Sequence, residues 1–247
     1  MKKFELTAEF VTNVLGKKLF RIKALVAFGD VEKGELGGFI EKEDNLSHDD
    51  NAWVSGNAWV YGDARVYGDA RVSGNACVYG DAWVYGDAWV YGNAQVSGNA
   101  RVYGDAQVSD NAWVSGNAWV YGDARVSGNA RVYGDAWVSG NARVSGNAWV
   151  YGNAQVSGNA RVYGNAQVSG NADYAAVAGF GRYSRTTTFF RCKDKILRVQ
   201  CGCFYGDLAQ FREIVKKTHG DSKYAKEYLA IADLMELHFS DECGGEQ

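Results

Sequence analysis

Tryptophan, arginine and glutamine recur at one position of a six-residue unit that fills the middle of the chain. All eight tryptophans lie at this position, together with seven arginines, four glutamines and Cys77. Ten tyrosines occupy a second position of the same unit, two residues later. Indole and phenol rings bind flat apolar groups, and guanidinium groups stack on such rings and bind anions. These residue types favour a noncovalent binding surface.

A second group of basic residues follows the repeat. Arg182, Arg185 and Arg191 surround three threonines, and further lysines follow at Lys216, Lys217, Lys223 and Lys226. Guanidinium and hydroxyl groups in this mixture bind phosphate. A solvated surface without a ligand has the same composition, so both interpretations stay open.

Groups that perform covalent chemistry are scarce. The histidines, His48, His219 and His238, lie outside the repeat, which also lacks lysine and glutamate. No Walker-type loop, serine-centred elbow or HxxxH pair is present. Cys201, Cys203 and His219 have metal-ligand chemistry, but structural zinc sites use two closely spaced cysteine pairs and only one is present. We therefore predict no catalytic residue, no metal and no cofactor, with the thiols buried under the C-terminal helices.

The unit that places the aromatic residues reads Asn or Asp, Ala, a variable residue, Val, Tyr or Ser, Gly. It runs from Asn51 to Gly170 twenty times without insertion, with Asp110 in place of one glycine. Alanine and valine lie two residues apart, so both point to one face of a short strand. Glycine, Asn and Asp readily adopt positive φ, which predicts a corner in each unit. Three units make an 18-residue triangular coil, and coils stack about 4.8 Å apart.

This repeat resembles the hexapeptide-repeat superfamily of left-handed parallel β-helices, in which an aliphatic residue and a small residue two positions earlier fill the prism. The resemblance covers 120 residues. It implies an all-β solenoid of about six to seven triangular coils. The superfamily includes acyltransferases, γ-type carbonic anhydrases and non-catalytic scaffolds, so it implies no single function. The histidines that its enzymes use are missing from this repeat.

Three columns of outward side chains arise when every eighteenth residue is read. All eight tryptophans are expected to face solvent. One column combines tryptophan and arginine and runs beside an unbroken tyrosine series that starts at Tyr67. The candidate binding residues are Arg65, Trp83, Arg101, Trp119, Trp137, Tyr85, Tyr103 and Tyr121, with Arg182, Arg185 and Arg191 from the basic group. Stacked rings and guanidinium groups also stabilise a sheet, and this purely structural role is the alternative.

The segments on either side of the repeat predict caps, because a bare solenoid end is an open sheet edge. We predict an N-terminal β-rich cap over 1–50, the β-helix over 51–170 and an α+β cap over 171–247. The run from Ala24 through Leu36, Gly37, Gly38 and Phe39 to Asn51 is similar to the N-terminal part of uncharacterised YdcK-like bacterial hexapeptide proteins. That family implies no established activity.

The C-terminal cap is expected to contain three β-like runs followed by two helices. The runs are Tyr174–Phe180, Thr186–Cys192 and Ile196–Cys203. Asp207 is predicted to cap the first helix, and Asp221 or Ser222 the second. The stretch TTTFF…CGCFYGDLAQF resembles a module of unannotated phage and prophage hexapeptide proteins, and this resemblance implies no known chemistry.

Composition limits the partners and the compartment. The net charge is −3, and the repeat holds seven arginines against eight aspartates, so neither long nucleic acid nor a membrane is an expected partner. No apolar run approaches the roughly 20 residues of a transmembrane helix. Glu5 and Glu9 stand where a signal peptide needs an apolar core. These features predict a cytoplasmic protein, in the host cytoplasm if it is phage-encoded.

The expected function is a non-catalytic binding protein that forms homo-oligomers, with a trimer favoured by the superfamily resemblance. Another copy of the chain, a nucleotide-like molecule or a glycan suits an aromatic and arginine-rich face. If the phage resemblance holds, the protein sequesters a nucleotide-like host signal or blocks a host protein. A structural or assembly scaffold is the alternative. An acyltransferase that uses His48 or His219 is a third hypothesis.

Overall fold

The computed structural model describes residues 2–240 and places the repeat in a parallel β-solenoid of about seven turns. Each unit contributes one two-residue strand, made of the variable residue and the following valine. The twenty strands are β4 (Trp53–Val54), β5 (Trp59–Val60), β6 (Arg65–Val66), β7 (Arg71–Val72), β8 (Cys77–Val78), β9 (Trp83–Val84), β10 (Trp89–Val90), β11 (Gln95–Val96), β12 (Arg101–Val102), β13 (Gln107–Val108), β14 (Trp113–Val114), β15 (Trp119–Val120), β16 (Arg125–Val126), β17 (Arg131–Val132), β18 (Trp137–Val138), β19 (Arg143–Val144), β20 (Trp149–Val150), β21 (Gln155–Val156), β22 (Arg161–Val162) and β23 (Gln167–Val168).

Strands eighteen residues apart pair in parallel register, which confirms the predicted triangular coil. Val90, for example, pairs with Val72 on one side and Val108 on the other. Every alanine and valine of the repeat is at most 1% exposed, so the interior is filled as the spacing predicts. We call each 18-residue coil a rung. The left-handed sense of the coil stays a prediction.

The corners depend on backbone that glycine adopts without strain. From Gly56 to Gly164 the corner glycines have φ between 61° and 73°. A Cβ at Gly116 would lie 2.9 Å from the backbone N of Gly134 on the next rung, so close stacking also disfavours a side chain. Asp110 adopts the same conformation at φ 58°, as predicted.

An N-terminal β-hairpin extends one sheet of the solenoid, within the region predicted as a β-rich cap. Strands β1 (Phe4–Thr12) and β2 (Lys18–Ala24) pair antiparallel, and β3 (Leu36–Ile40) joins β2 to β5. The ammonium of Lys3 donates to the carbonyls of Asp49, Asp50 and Ala52 at 3.3, 3.2 and 2.9 Å. Burial lowers the pKa of Lys3 to about 8. This side chain therefore satisfies carbonyl groups at the first rung.

Trp53 is buried, and the expectation that all eight tryptophans face solvent is wrong at this position. Its exposed fraction is 2%. Phe28 of the N-terminal cap packs edge-on against its ring, with centroids 5.4 Å apart. The neighbouring Arg71 forms an ion pair with Asp30 of the same segment. The cap therefore folds over the first rung, a contact that the repeat does not encode.

The C-terminal cap is a four-stranded antiparallel sheet with two helices. The elements are β24 (Tyr174–Phe180), β25 (Arg185–Arg191), β26 (Leu197–Cys201), β27 (Phe204–Asp207), α1 (Leu208–His219) and α2 (Lys223–Phe239). The three predicted runs are confirmed to within a few residues at their ends. The fourth strand, β27, was not predicted, because a tight turn at Gly202 folds it back directly before α1. The last seven residues of the predicted 171–247 cap lie outside the described residues.

Both helix starts follow the predicted capping chemistry. Asp207 accepts a hydrogen bond from the N–H of Gln210 at 2.8 Å, and Ser222 from the N–H of Ala225 at 3.4 Å. Of the two predicted candidates, Asp221 and Ser222, it is therefore Ser222 that caps α2. A side-chain oxygen at these positions satisfies an otherwise unpaired N–H group.

Strand β25 closes the C-terminal end of the solenoid. Neighbouring residues of a strand point to opposite faces, and Phe190 enters the solenoid core while Phe189 enters the core under the helices. The hydroxyl of Thr188 accepts a hydrogen bond from the N–H of Arg161 at 2.9 Å. One strand therefore joins two separate cores.

Candidate interaction surface

The six-stranded sheet of the solenoid carries most of the predicted binding residues. Its order is β21-β18-β15-β12-β9-β6, and each strand stands in register with the strand eighteen residues later. We call this sheet the ladder face. It consists of a Trp–Arg column, Arg65, Trp83, Arg101, Trp119 and Trp137, and a tyrosine column, Tyr67, Tyr85, Tyr103 and Tyr121.

In the Trp–Arg column, each side chain from Trp83 to Trp137 stacks on the next. The Cζ atom of Arg101 lies 5.0 Å from the ring centroid of Trp83 and 5.1 Å from that of Trp119. Trp119 and Trp137 stack with centroids 5.3 Å apart and planes at 11°. Each exposed cation–π contact contributes about 0.5–1 kcal/mol. The sandwiched guanidinium therefore stabilises the column.

The tyrosine column is a continuous stack. Successive rings from Tyr67 to Tyr121 have centroids 4.8, 4.8 and 5.0 Å apart and are parallel to within 3°. Burial between neighbours raises the pKa of the Tyr67 and Tyr103 hydroxyls, and each has a tyrosine neighbour that adds to the shift. These two phenols therefore stay neutral to a higher pH than an ordinary tyrosine does.

Stacking covers the ring faces within the columns and leaves ring edges toward solvent. Two rings that sandwich a nucleobase lie about 7 Å apart, because each stacking contact takes about 3.4 Å. The spacing of 4.8–5.3 Å between rings on the ladder face is too short for insertion. The face therefore suits a flat surface that packs on ring edges better than a base that inserts between rings.

A second Trp–Arg column lies on the ten-stranded sheet and was not among the predicted site residues. The Cζ atom of Arg131 lies 5.7 Å from the ring centroid of Trp113 and 5.1 Å from that of Trp149. Two tyrosine pairs accompany it, Tyr61–Tyr79 and Tyr133–Tyr151. The same spacing of eighteen residues identifies it, so alternation of tryptophan and arginine is not unique to the ladder face.

Charged residues of the repeat are segregated along the seven-stranded sheet and its corner, a feature that the sequence analysis missed. We call Asp69, Asp87, Asp105 and Asp123 the aspartate column, because they occupy one corner position on four successive rungs. We call Arg125, Arg143 and Arg161 the arginine column, because they pair in register on three successive strands of the same sheet. Reading the first and third positions of every third unit shows this segregation of charge.

These columns place like charges beside one another. Like charges directly opposite on neighbouring strands destabilise a sheet. Within residues 2–240, none of the three arginines of the arginine column forms an ion pair, and neither do Asp87, Asp105 and Asp123. By contrast, the corner between the seven-stranded and ten-stranded sheets carries an asparagine at every rung, linked by amide hydrogen bonds of 3.1–3.5 Å. The charged columns therefore weaken the isolated chain.

The predicted group of C-terminal arginines separates into two places. Arg182 and Arg185 lie together, with their Cζ atoms 5.5 and 4.8 Å from the ring centroid of Tyr183. Arg191 lies apart at the far end of β25, where it donates to the carbonyl of Phe239 at 2.9 Å. Five residues of extended strand separate Arg185 from Arg191, so the three guanidinium groups do not form one site.

The cysteines and histidines of the caps have structural contacts. Cys201 lies partly buried beneath the helices and accepts from the hydroxyl of Thr187 at 3.1 Å, whereas Cys203 is exposed after the turn and not buried as expected. In residues 2–240 no group of three or more His, Cys, Asp and Glu side chains is placed to hold a metal ion. His48 stacks on Phe4 at 4.2 Å, in the opposite cap from His219, so the two are not brought together.

The comparison with protein families identifies the solenoid. A model of the YdcK beta solenoid repeat matches residues 58–74, 64–80, 70–86, 94–106, 106–122, 124–140, 136–152 and 154–170. Over these residues the chain is thus similar to the YdcK beta-solenoid repeat. The motif between Ala24 and Asn51 lies outside the matched residues, and the phage-like resemblance of the C-terminal cap stays a prediction. No curated protein has a matching sequence.

The described part of the chain contains no helix that is both long and apolar enough to cross a membrane. The longest, α2, has 17 residues.

Proposed function

We propose that this protein is a non-catalytic binding protein that pairs with a second copy of itself through the seven-stranded sheet. The charged columns carry this proposal. Asn51 stands at the first rung of the sheet's corner, aspartates occupy the next four rungs, and arginines occupy the last three strands of the sheet. A surface whose halves have opposite charge is complementary to itself when two copies meet antiparallel.

The register of such a pair follows from the rung order. An axis between the strands of Gln107 and Arg125 brings Asp87 level with Arg143 of the partner subunit. The same axis brings Asp69 level with Arg161 of the partner subunit, and Asp105 level with Arg125 of the partner subunit. Three of the four aspartates then stand level with an arginine of the partner subunit, while Asp123 stands level with Gln107 of the partner subunit. The resemblance to trimeric superfamily members favours three subunits, whereas this charge order favours two.

The ladder face lies on a different sheet and stays available for a further partner. Its ring edges form a flat apolar strip, and tryptophan, tyrosine and arginine are the residues enriched at binding hot spots. Aspartates stand at both bordering corners, at Asp63, Asp81 and Asp135 on one side and in the aspartate column on the other. A basic protein surface fits this border better than a phosphate-bearing ligand does. Blocking of a host protein is therefore the version of the binding hypothesis that we carry forward, with a phage setting still an expectation.

Sedimentation velocity at low and high salt tests the self-association. We expect a dimer that dissociates as salt rises, because exposed charges are screened within about 10 Å at 0.1 M salt. Changing Arg125, Arg143 and Arg161 together to Gln, a residue that the repeat already uses at this position, should abolish the dimer. The matched control Arg131→Gln lies on the ten-stranded sheet and should leave it intact.

Two results would contradict the proposal: a monomer at about 50 µM, far above the usual range of specific complexes, or an oligomer that survives the triple change. Trp119→Gln and Trp137→Gln on the ladder face should keep the dimer. Loss of the oligomer in these variants would place the contact on the ladder face instead, and would overturn the assignment to the charged columns.

A further inference from the structure

A cleft between the end of the solenoid and the C-terminal cap collects basic and apolar side chains. Its inner hollow of about 210 Å³ lies between the cap sheet and α1, beside the rings of Phe204 and Phe211 and the methyl groups of Val215. Its outer hollow of about 630 Å³ reaches Arg161 on the last strand of the arginine column. Among residues 2–240, no aspartate or glutamate lines either hollow. The cleft therefore combines an apolar floor with a positively charged rim.

Arg185 lies where the two hollows meet, and its position is constrained by its neighbours. Its guanidinium stacks on the ring of Tyr183, with 4.8 Å between Cζ and the ring centroid. On the other side is Gly202, where a Cβ atom would come within 2.6 Å of Nη1 of Arg185. A guanidinium held between a ring and a glycine loses little conformational freedom when it binds an anion.

The basic groups of the cleft are not neutralised by the chain. Within residues 2–240, neither Arg182 nor Arg185 forms an ion pair. Glu227 on α2 is occupied elsewhere, since it accepts from the N–H of Gly181 at 2.9 Å and lies 3.5 Å from the ammonium of Lys223. Two guanidinium groups are therefore free to donate to a ligand.

We propose that this cleft binds a small anion that carries a flat apolar ring, of the aryl phosphate or mononucleotide class. The inner hollow exceeds the roughly 150 Å³ in which a buried cavity holds a benzene ring. The phosphate lies at the junction, where Arg182 and Arg185 donate charge-assisted hydrogen bonds. Arg191 takes no part, because it lies at the other end of β25. This site shares Arg161 with the proposed self-association surface, but Arg182 and Arg185, which hold the phosphate, lie outside that surface.

Isothermal titration calorimetry with phenyl phosphate and AMP tests the site. We expect saturable binding of at least one of the two probes at one site per chain, at least tenfold tighter than inorganic phosphate or adenosine, because ring and anion contribute together. Arg185→Gln should weaken binding tenfold or more, since it removes a charge-assisted donor. The matched control Arg131→Gln, on the ten-stranded sheet, should bind like the unchanged protein.

Thiol protection locates the ligand independently. Cys203 is exposed and lines both hollows, whereas Cys77 lies on the solenoid. The probe that binds should slow the reaction of Cys203 with an uncharged maleimide and leave the reaction of Cys77 unchanged. The proposal is overturned if neither probe binds saturably up to about 1 mM, the weak limit for a specific ligand. Equal binding by Arg185→Gln, or no protection of Cys203, would also refute it.

Discussion

In the solenoid each rung contacts the rungs above and below it, whereas in the C-terminal cap four strands and two helices share one core. Neighbours in the solenoid are always eighteen residues apart, so its outward side chains form straight columns. Neighbours in the cap follow no period, and the irregular packing of α1 on the sheet leaves hollows. The solenoid therefore presents extended surfaces suited to proteins, and the cap presents a concave site suited to a small molecule.

The largest expected effect compares the two cores that meet at β25, the solenoid core and the core under the helices. Phe189 and Phe190 are both fully buried, but they lie in different cores. Replacing either with alanine should cost about 3–5 kcal/mol of the free energy of unfolding. Phe189→Ala should unfold the cap at lower denaturant and leave the solenoid transition in place, while Phe190→Ala should destabilise the joint and lower both transitions.

Two spectroscopic signals distinguish these outcomes. All eight tryptophans belong to the repeat, so indole fluorescence follows the solenoid alone. Both α-helices belong to the cap, so helical circular dichroism follows the cap. If Phe189→Ala shifted the two signals equally, the cap and the solenoid would form one cooperative unit, and the distinction drawn at β25 would be wrong.

A smaller effect is expected for glycine-to-alanine changes, whose cost in stability should differ between the interior of the solenoid and its last rung. Gly158 and Gly116 share the same conformation, with φ of 64° and 68°. A Cβ at Gly158 meets no atom within 4 Å, while one at Gly116 lies 2.9 Å from the backbone N of Gly134. Gly158→Ala should cost about 1–2 kcal/mol for the left-handed backbone alone. Gly116→Ala should cost more, because two rungs must also separate.

Chemical denaturation of both glycine variants, monitored by tryptophan fluorescence, gives the difference. Equal costs at the two positions would mean that the left-handed backbone alone selects glycine, and that contact between rungs does not contribute.

The smallest expected effect is a pH dependence of the solenoid's stability, which arises from its tyrosine pairs. Burial, with Tyr79 stacked beside it, raises the pKa of Tyr61 to about 12, from its ordinary value of 10.0. A raised pKa means that the unfolded chain loses this proton first, so the contribution of Tyr61 is complete below pH 10 and is lost between pH 10 and about 12.

Denaturation midpoints measured from pH 8 to 12 test this dependence. Tyr61→Ser, which the repeat code allows, should show a shallower loss of stability above pH 10 than the unchanged protein. Trp113→Gln, on the same sheet but without a titrating group, should retain the full loss. Identical profiles for Tyr61→Ser and the unchanged chain would show that the phenol is not protected in the folded state.

Much of the solenoid follows from local rules. The corner at Asp110, the buried alanines and valines, and the register of eighteen residues all agree with expectation, because each depends on backbone conformation and side-chain alternation within six residues. The helix starts at Asp207 and Ser222 also depend on a few neighbouring atoms. The predictions fail where segments that are distant in sequence meet. Phe28 buries Trp53, and a turn at Gly202 exposes Cys203 and creates the unpredicted strand β27.

The candidate sites show the same division. The stacked columns of the ladder face were predictable from spacing, because a strict period fixes which side chains are neighbours. The separation of Arg191 from Arg185 was not predictable from spacing. The two residues are close in sequence, but they lie at opposite ends of one extended strand. The significance of the charged columns also needs the fold, because like charges appear adjacent only after strands eighteen residues apart are paired.

The repeat alone specifies the solenoid, its period and the identity of its outward columns, because a repeated six-residue unit leaves one way to bury alanine and valine while glycine turns each corner. How the caps close the ends and where the cleft forms depends on the folded chain. Those features depend on contacts between segments without a shared period, such as Phe190 in the solenoid core and Arg185 held between Tyr183 and Gly202. Contacts of this kind are selected by the packing of the whole chain and by no local rule.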